Sequence, residues 1–384
     1  MQSKKIAIIG AGNAACITAL AYYEFGQLRS KDVSEIEIYY DPSIPIEQVG
    51  QGTTQAVTKL IAGILNNTYC PYKDNYTNGN AVKSTLKSGI SYENWGKETG
   101  KSFHPFLMAN CSNHYVPHLL SKAVLESGLF KVIEKRIDDP EKEIDADIIF
   151  DCRGGRDRDK SLYTELINPL NSVILANKEE PDPSLLYTRC VATPNGWTFV
   201  IPNIDSVSYG YLYNNTITPK QRAEKNFIEL FDVVPKTHIN FENYMAKNMF
   251  VGERTVLNGN KLTFLEPLEA TSSAFYYTVA GVAWNTIWHK TYKDCNQFVQ
   301  REMQRIQNFV LWHYAKGSKY NTSFWRYAGK MAKDVLSSDP ELMDIVVKSR
   351  QYDRNHQRSI QMFQRRETYS QWEIGSIAHW DSII

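Results

Sequence analysis

A chain of 384 residues with 42% hydrophobic and 22% charged side chains has the make-up of a globular protein with one large or two smaller units. Its net charge of +1 excludes the basic excess of a nucleic-acid binder and the acidic tail of a solvating disordered segment. Its scattered cysteines (16, 70, 111, 152, 190, 295) form no CxxC pair, which argues against a zinc site or a disulfide framework. The N-terminus runs straight into a strand, with no signal peptide, and no apolar run reaches membrane-spanning length, so a reduced, cytoplasmic setting is expected.

Lys4 to Ile9 is a short apolar strand, followed by Gly10-Ala11-Gly12-Asn13-Ala14-Ala15 and a helical run to about Phe25. This is GxGxxA at a strand-to-helix turn. The first glycine permits the tight turn, the second lets backbone approach a pyrophosphate, and the small third residue lets helix and strand pack closely. Gly10, Gly12, Asn13, Ala14 and Ala15 are therefore candidate dinucleotide contacts. A second strand, Glu35 to Tyr40, ends beside Asp41, a candidate for a ribose hydroxyl. The loop that follows carries Gly50 and Gly52 and suits a longer cofactor than a compact NAD half.

An amphipathic helix is expected from about Gln55 to Leu65, then a polar surface excursion over 66–86. Lys87 to Trp95 reads as one strand, with Lys87 at its start; by default such a lysine is solvated. Phe103-His104-Pro105-Phe106 reads as a turn. His114 and His118 are four apart, but Pro117 intervenes and no third ligand is evident, so no metal site is expected. A helix over Val116–Ser127, a strand over Phe130–Lys135 and an apolar strand ending at Cys152 before Gly154-Gly155 complete this half.

From Leu185 to Asn214 the pattern turns to β, with Asn195-Gly196 as a turn. Trp197 and Phe199, two apart, share one face of their strand. A helix spans Pro219–Phe231, and Asn258-Gly259-Asn260 is a turn. In Phe264–Ser273, Pro267 bars a helix interior, so a helix begins near Thr271, where Thr and Ser suit an N-cap. The free N–H groups of its first turn suit an anion. Glu269, just before it, reads on its own as a helix-stabilising charge. Helices are expected over 274–288, 291–316, 322–336 and 339–350, with 354–366 less regular, and the arginines of the tail read as a solvated face.

In this order, the segments resemble the flavin-dependent halogenases of the tryptophan-halogenase family over residues 4–273. Gly10–Ala15 resembles the family's FAD pyrophosphate loop, and Val49-Gly50-Gln51-Gly52-Thr53 its flavin-covering strap. Lys87–Trp95 is similar to the K-x-G-I-x-F-x-N-W run that opens with the catalytic lysine, followed by the H-P-F of His104–Phe106. Asp151–Gly154 resembles D-C-S-G, Gly196–Pro202 resembles G-W-x-W-x-I-P, and Glu266–Ser272 resembles E-P-L-E-S-T-G. The departures are Phe199 for the second tryptophan, Asn260 for the aspartate of a cofactor-contacting Gly-Asp pair, Gln51 for the strap glutamate, and Ala270-Thr271-Ser272 for Ser-Thr-Gly. The shorter region after residue 273 is more like a compact, phage-type member.

The resemblance implies an α/β chain: a Rossmann-like FAD-binding fold of the flavin monooxygenase type, with an antiparallel β insertion and a mostly helical C-terminal region. Residues 1–290 would form the FAD-binding module, with the insertion at about 185–265, and 291–384 a helical substrate-side region. It implies FAD, supplied as FADH2 by a separate flavin reductase in transient contact, and a halide ion as co-substrate. Hypohalous acid would be relayed by Lys87 to a small electron-rich aromatic of indole or phenol type, with Glu269 as proton acceptor. Gly10, Gly12, Asn13, Ala14, Ala15, Asp41, Gly50, Gly52, Asn260 and Ser273 would hold the cofactor, Thr271 and Ser272 the halide. Trp197 and Phe199 would shield the flavin. Ser272 in the anion cradle points towards the heavier halides. A flavin hydroxylase and a non-catalytic nucleotide-binding protein are the alternatives. Neither nucleic acid nor membrane is an expected partner, and oligomerisation is left open.

Overall fold

The computed structural model describes residues 4–28, 33–66, 81–96, 100–106, 112–155, 157–289 and 294–342. Most of the 66–86 excursion and the tail with its arginines lie outside them.

Lys4–Ile9 is a central parallel strand, buried on both faces. Ile6 and Ile8 enter the main core, while Ala7 and Ile9 pack with Ile137, Ile144 and Ile149 on the other side. This is why its sequence is a continuous apolar run rather than an alternation. Among the described residues the strands of this sheet run in the order 131–134, 33–40, 4–9, 148–151, 255–257, all parallel, with the 250–251 strand antiparallel at the edge. Numbered along the chain, the parallel order is 3-2-1-4-5, that of a doubly wound dinucleotide-binding half. Helix Asn13–Leu28 covers one face and packs on helix Ser272–Trp284. Tyr22 meets Trp284 there at a ring distance of 5.5 Å.

A second, seven-stranded sheet has the order 237–240, 172–178, 207–213, 196–202, 188–193, 89–93, 101–105. Besides four strands within the expected 185–265 insertion it takes in 89–93, 101–105 and 172–178, which precede it. The 196–202 strand is buried along its whole length. Its hairpin with 188–193 turns at Pro194-Asn195, one residue earlier than expected, because Thr193 already pairs with Gly196.

Two further expectations are corrected. Lys87–Trp95 is not one strand. Thr85–Lys87 pairs with Ser112–Tyr115 in a small sheet, and Gly89–Glu93 joins the large one. Ser88 makes the break, bonding both its N–H and its hydroxyl to the Leu186 carbonyl at 2.7 and 2.8 Å. Phe103–Phe106 is not a turn either: Lys101–Pro105 is a strand. It forms the edge of the large sheet, where Pro105 has no ladder N–H to lose.

On the C-terminal side, helix Cys295–Lys316 starts four residues later than expected, where the Asp294 carboxylate accepts from Gln297 N at 2.8 Å. The apolar run after Ser272 is α-helical to Trp284 and then a single π turn over Asn285–His289. Helix Ser323–Leu336 packs against Cys295–Lys316.

Candidate active site

At the carboxyl ends of the parallel strands, Gly10 adopts φ +115°, a conformation closed to most side chains, and its N–H bonds the Tyr39 carbonyl at 2.8 Å. Gly12 faces open space: no atom lies within 4 Å of the position a Cβ would take. Asn13, the first residue of the helix, is buried and laced to the strap. Its Nδ2 donates to Gln51 Oε1 at 2.7 Å, Gln51 Nε2 donates to Glu47 Oε2 at 2.8 Å, and the Tyr115 hydroxyl donates to Asn13 Oδ1 at 2.5 Å. Ala14 sits under Gly259, where an added Cβ would come within 2.4 Å of it. Asn260 follows the fifth parallel strand, and its Oδ1 accepts from the Tyr276 hydroxyl at 3.1 Å. Asp41 accepts from the N–H and hydroxyl of Ser43 at 2.9 and 2.6 Å, bonds that hold its carboxyl below the usual range.

Against the seven-stranded sheet lies a cavity of about 250 Å³, lined also by the strap and by the start of helix Ser272–Trp284. Gly50 and Gly52 of the strap form one side, and Asn260 and Ser273 contribute to another. Trp197 and Phe199 line it together, with ring centroids 6.3 Å apart and planes inclined at 62°. The Phe199 ring fills the space that a Cβ on Gly210 would take. Thr271 and Ser272, at the start of helix Ser272–Trp284, also reach the wall. The Thr271 hydroxyl makes no capping bond, unlike the expectation for an N-cap threonine. Gly10, Gly12, Asn13, Ala14, Ala15, Asp41 and Glu269 do not line this cavity. The residues present fit a dinucleotide-type group: open backbone at Gly12, a strap with bare glycines at 50 and 52 on the wall, and the buried Ser273 Oγ, which has no hydrogen-bond partner among the described residues.

Lys87 lines the same cavity yet is only 2% exposed. Its Nζ donates to the Thr53 carbonyl at 3.4 Å and stands 5.5 Å from the centroid of the Phe106 ring. A Cβ on Gly52 would lie 2.8 Å from Nζ, so the strap glycine makes space for the ammonium. Burial pushes the Lys87 pKa down to about 8, and the charge of Glu269 opposes this only in part. The default solvated lysine is thereby replaced by a buried one.

Glu269 is equally buried. The Tyr92 hydroxyl donates to its Oε1, and His313 Nε2 lies 2.7 Å from the same oxygen. Burial raises its carboxyl pKa, but His313 and the bond from Tyr92 outweigh this, and the carboxyl stays below its ordinary value. The next residue, Ala270, has φ +52°, rare for a side chain with Cβ, and its N–H bonds the Pro267 carbonyl at 3.0 Å. Three residues before Glu269, Glu266 accepts from Trp197 Nε1 at 2.9 Å, Asn168 Nδ2 at 3.0 Å and the Tyr314 hydroxyl at 2.7 and 2.8 Å. It thereby anchors the cavity-lining tryptophan to helix Cys295–Lys316.

Sequence reasoning assigned no role to His313, Tyr92 or Glu266. Tyr92 and Glu266 lay inside quoted motifs. His313 stood in the apolar run Phe309–Tyr314, where a lone polar residue is the only signal that a buried partner exists.

The fold and this site define an α/β protein of the dinucleotide-cofactor class, carrying a buried amine on the cavity wall and a buried carboxylate near it. The chain belongs to the tryptophan halogenase family, whose profile matches residues 5–126 and 131–371. Tryptophan 7-halogenase RebH of Lentzea aerocolonigenes is 26% identical over 204 residues, 47% of this chain and 38% of RebH. The match thus spans well under half of that relative's length. In fold, the tryptophan halogenase of Shewanella frigidimarina superposes with a TM-score of 0.76 at 16% identity, covering 99% of this chain and 89% of the other. The flavin-dependent halogenase Xcc4156 of Xanthomonas campestris gives 0.74 at 17% identity, covering 99% and 89%. No helix among the described residues is long and apolar enough to cross a membrane.

Proposed function

We propose that this chain is a flavin-dependent halogenase acting on an electron-rich aromatic ring of indole or phenol type. When bound, reduced FAD with oxygen would supply the oxidising equivalent that turns a halide ion into hypohalous acid. Gly10, Gly12, Asn13, Ala14 and Ala15 would hold its pyrophosphate, Asp41 its ribose, and Gly50, Gly52, Asn260 and Ser273 the remainder. The reduced cofactor would come from a separate flavin reductase.

The backbone amides of Thr271 and Ser272, at a helix start, suit a monovalent anion. Trp197 and Phe199, which line the cavity, would shield the flavin there from the aromatic substrate. The neutral Lys87 amine takes the halogen from hypohalous acid: an N–X bond forms and water leaves. The ring carbon then attacks the halogen, the N–X bond breaks, and the nitrogen keeps that electron pair and takes up one proton, which restores the amine. Glu269, held as a carboxylate, accepts the proton lost from the ring.

The observation that carries this reading is Lys87: a buried amine on the cavity wall, with its pKa brought down towards neutrality and a buried carboxylate near it. The test is turnover of indole and phenol substrates with FAD, a reductase, oxygen and chloride, bromide or iodide, read by mass spectrometry. A halogen gained by the wild type and lost in Lys87→Ala is the expected outcome. Gain of one oxygen, or full halogenation by Lys87→Ala, would overturn it.

A further inference from the structure

His313 lies in the last turn of the long helix Cys295–Lys316, 1% exposed. An aromatic box surrounds it: Tyr92, Trp95, Phe309 and Trp312 have ring centroids 5.5, 6.1, 5.1 and 5.3 Å from its own. Its Nδ1 is 2.9 Å from the Phe309 carbonyl oxygen. A carbonyl only accepts, so Nδ1 carries a proton. The tautomer is fixed by that one contact, and the proton between Nε2 and Glu269 Oε1, 2.7 Å apart, is the only one left to place. Oε1 also receives the Tyr92 hydroxyl. A hydroxyl donor and an imidazole nitrogen at ion-pair distance on one oxygen are best matched by a carboxylate, and the C-terminal turn of a helix favours a cation. Oε2 has no hydrogen-bond partner among the described residues.

From this geometry we infer that His313 is a positioning residue for the reaction: as an imidazolium it fixes the charge and orientation of Glu269, occupying Oε1 and leaving Oε2 to take the ring proton. The inference rests on the reading of Glu269 as proton acceptor. A bare buried carboxylate would tend to protonate, and a protonated acid has no capacity as a base. The other titratable groups around the pair come from separate elements: Lys87 from Thr85–Lys87, Tyr92 from Gly89–Glu93, His104 from Lys101–Pro105, Cys190 from Thr188–Thr193 and Glu266 from the turn before Glu269. His313 alone among them combines a contact with Oε1 and a cationic form.

The experiment compares wild type, His313→Gln, His313→Phe and Glu269→Gln. Glutamine keeps an N–H donor but no charge; phenylalanine removes both. First, infrared spectra of the flavin-free protein with carboxyl-labelled glutamate give the charge of Glu269, assigned by the band lost in Glu269→Gln. An ionised band in wild type at neutral pH that becomes a protonated one in His313→Phe is expected. Second, halogenation is followed against pH. In His313→Phe the acid limb should move to higher pH and kcat should fall about 10-fold or more, with little change in KM for the aromatic and a partial return in His313→Gln.

A protonated Glu269 in wild type, or an acid limb unmoved in His313→Phe, would overturn the inference. Where His313→Phe does not fold, the wild-type spectrum and His313→Gln decide it. Full activity in Glu269→Gln would instead remove the base role of Glu269, while the infrared bands still decide the pairing.

Discussion

Lys87 and Glu269 are both sealed from solvent, and their surroundings treat charge in opposite ways. Lys87 has one carbonyl and an aromatic face for company, so burial drives it towards the neutral amine. Glu269 has an imidazole and a phenol on the same oxygen, and these keep it ionised against the same burial. Desolvation acts on both; the nearest partner decides the result. No cluster of His, Cys, Asp or Glu suited to a metal ion occurs among the described residues.

Three substitutions would break or sharpen the contrast. The largest effect is expected at Glu266, a carboxylate enclosed like Glu269 but saturated by donors from Trp197, Asn168 and Tyr314. Glu266→Leu leaves those donors unpaired in the core and should lower stability by about 3–5 kcal/mol in urea unfolding. A loss below about 1 kcal/mol would show that these bonds do not hold the wall.

The second is Lys87→Met, where the sign reverses. The lysine pKa is about 8 folded against 10.5 ordinarily, so between those values the unfolded chain binds more protons and stability rises with pH. Below pH 8 the penalty is complete, at most roughly 3 kcal/mol. Lys87→Met should therefore be more stable than wild type at neutral pH, with the advantage shrinking from pH 8 to 10.5, as thermal melts against pH would show. A less stable variant at pH 7 would mean the ammonium is well solvated. The smallest effect is expected for Asn260→Asp. The new carboxylate can still accept from Tyr276, so melting should change by no more than about 0.5 kcal/mol, and any difference should appear in FAD titration instead.

The cofactor half was legible because its demands are local. Gly10 must take positive φ, Gly12 must leave space, and both requirements sit within six residues of sequence. The helix Gln55–Leu65 was equally plain, since its apolar period is its own. What could not be read was produced by distant pairing. Ser88 breaks its strand through Leu186, and Pro105 is tolerated only because Lys101–Pro105 falls at a sheet edge. The close contact between His313 and Glu269 joins residues on different elements, and period alone gives no register between them. Asp41 was placed at its strand end correctly, yet the turn it makes with Ser43 depends on side-chain geometry that spacing does not encode.

The strap has a consequence beyond covering a cavity. Thr53 supplies the carbonyl that Nζ of Lys87 donates to, and Gly52 is the backbone against which that nitrogen rests. The same segment reaches the start of helix Asn13–Leu28 through Gln51 and Asn13. Position of the loop and basicity of the amine are therefore mechanically one variable. A shift of about an ångström in the strap would remove the acceptor of Lys87 and change its solvation at the same moment. Any group that orders this loop also sets how readily the lysine gives up its proton.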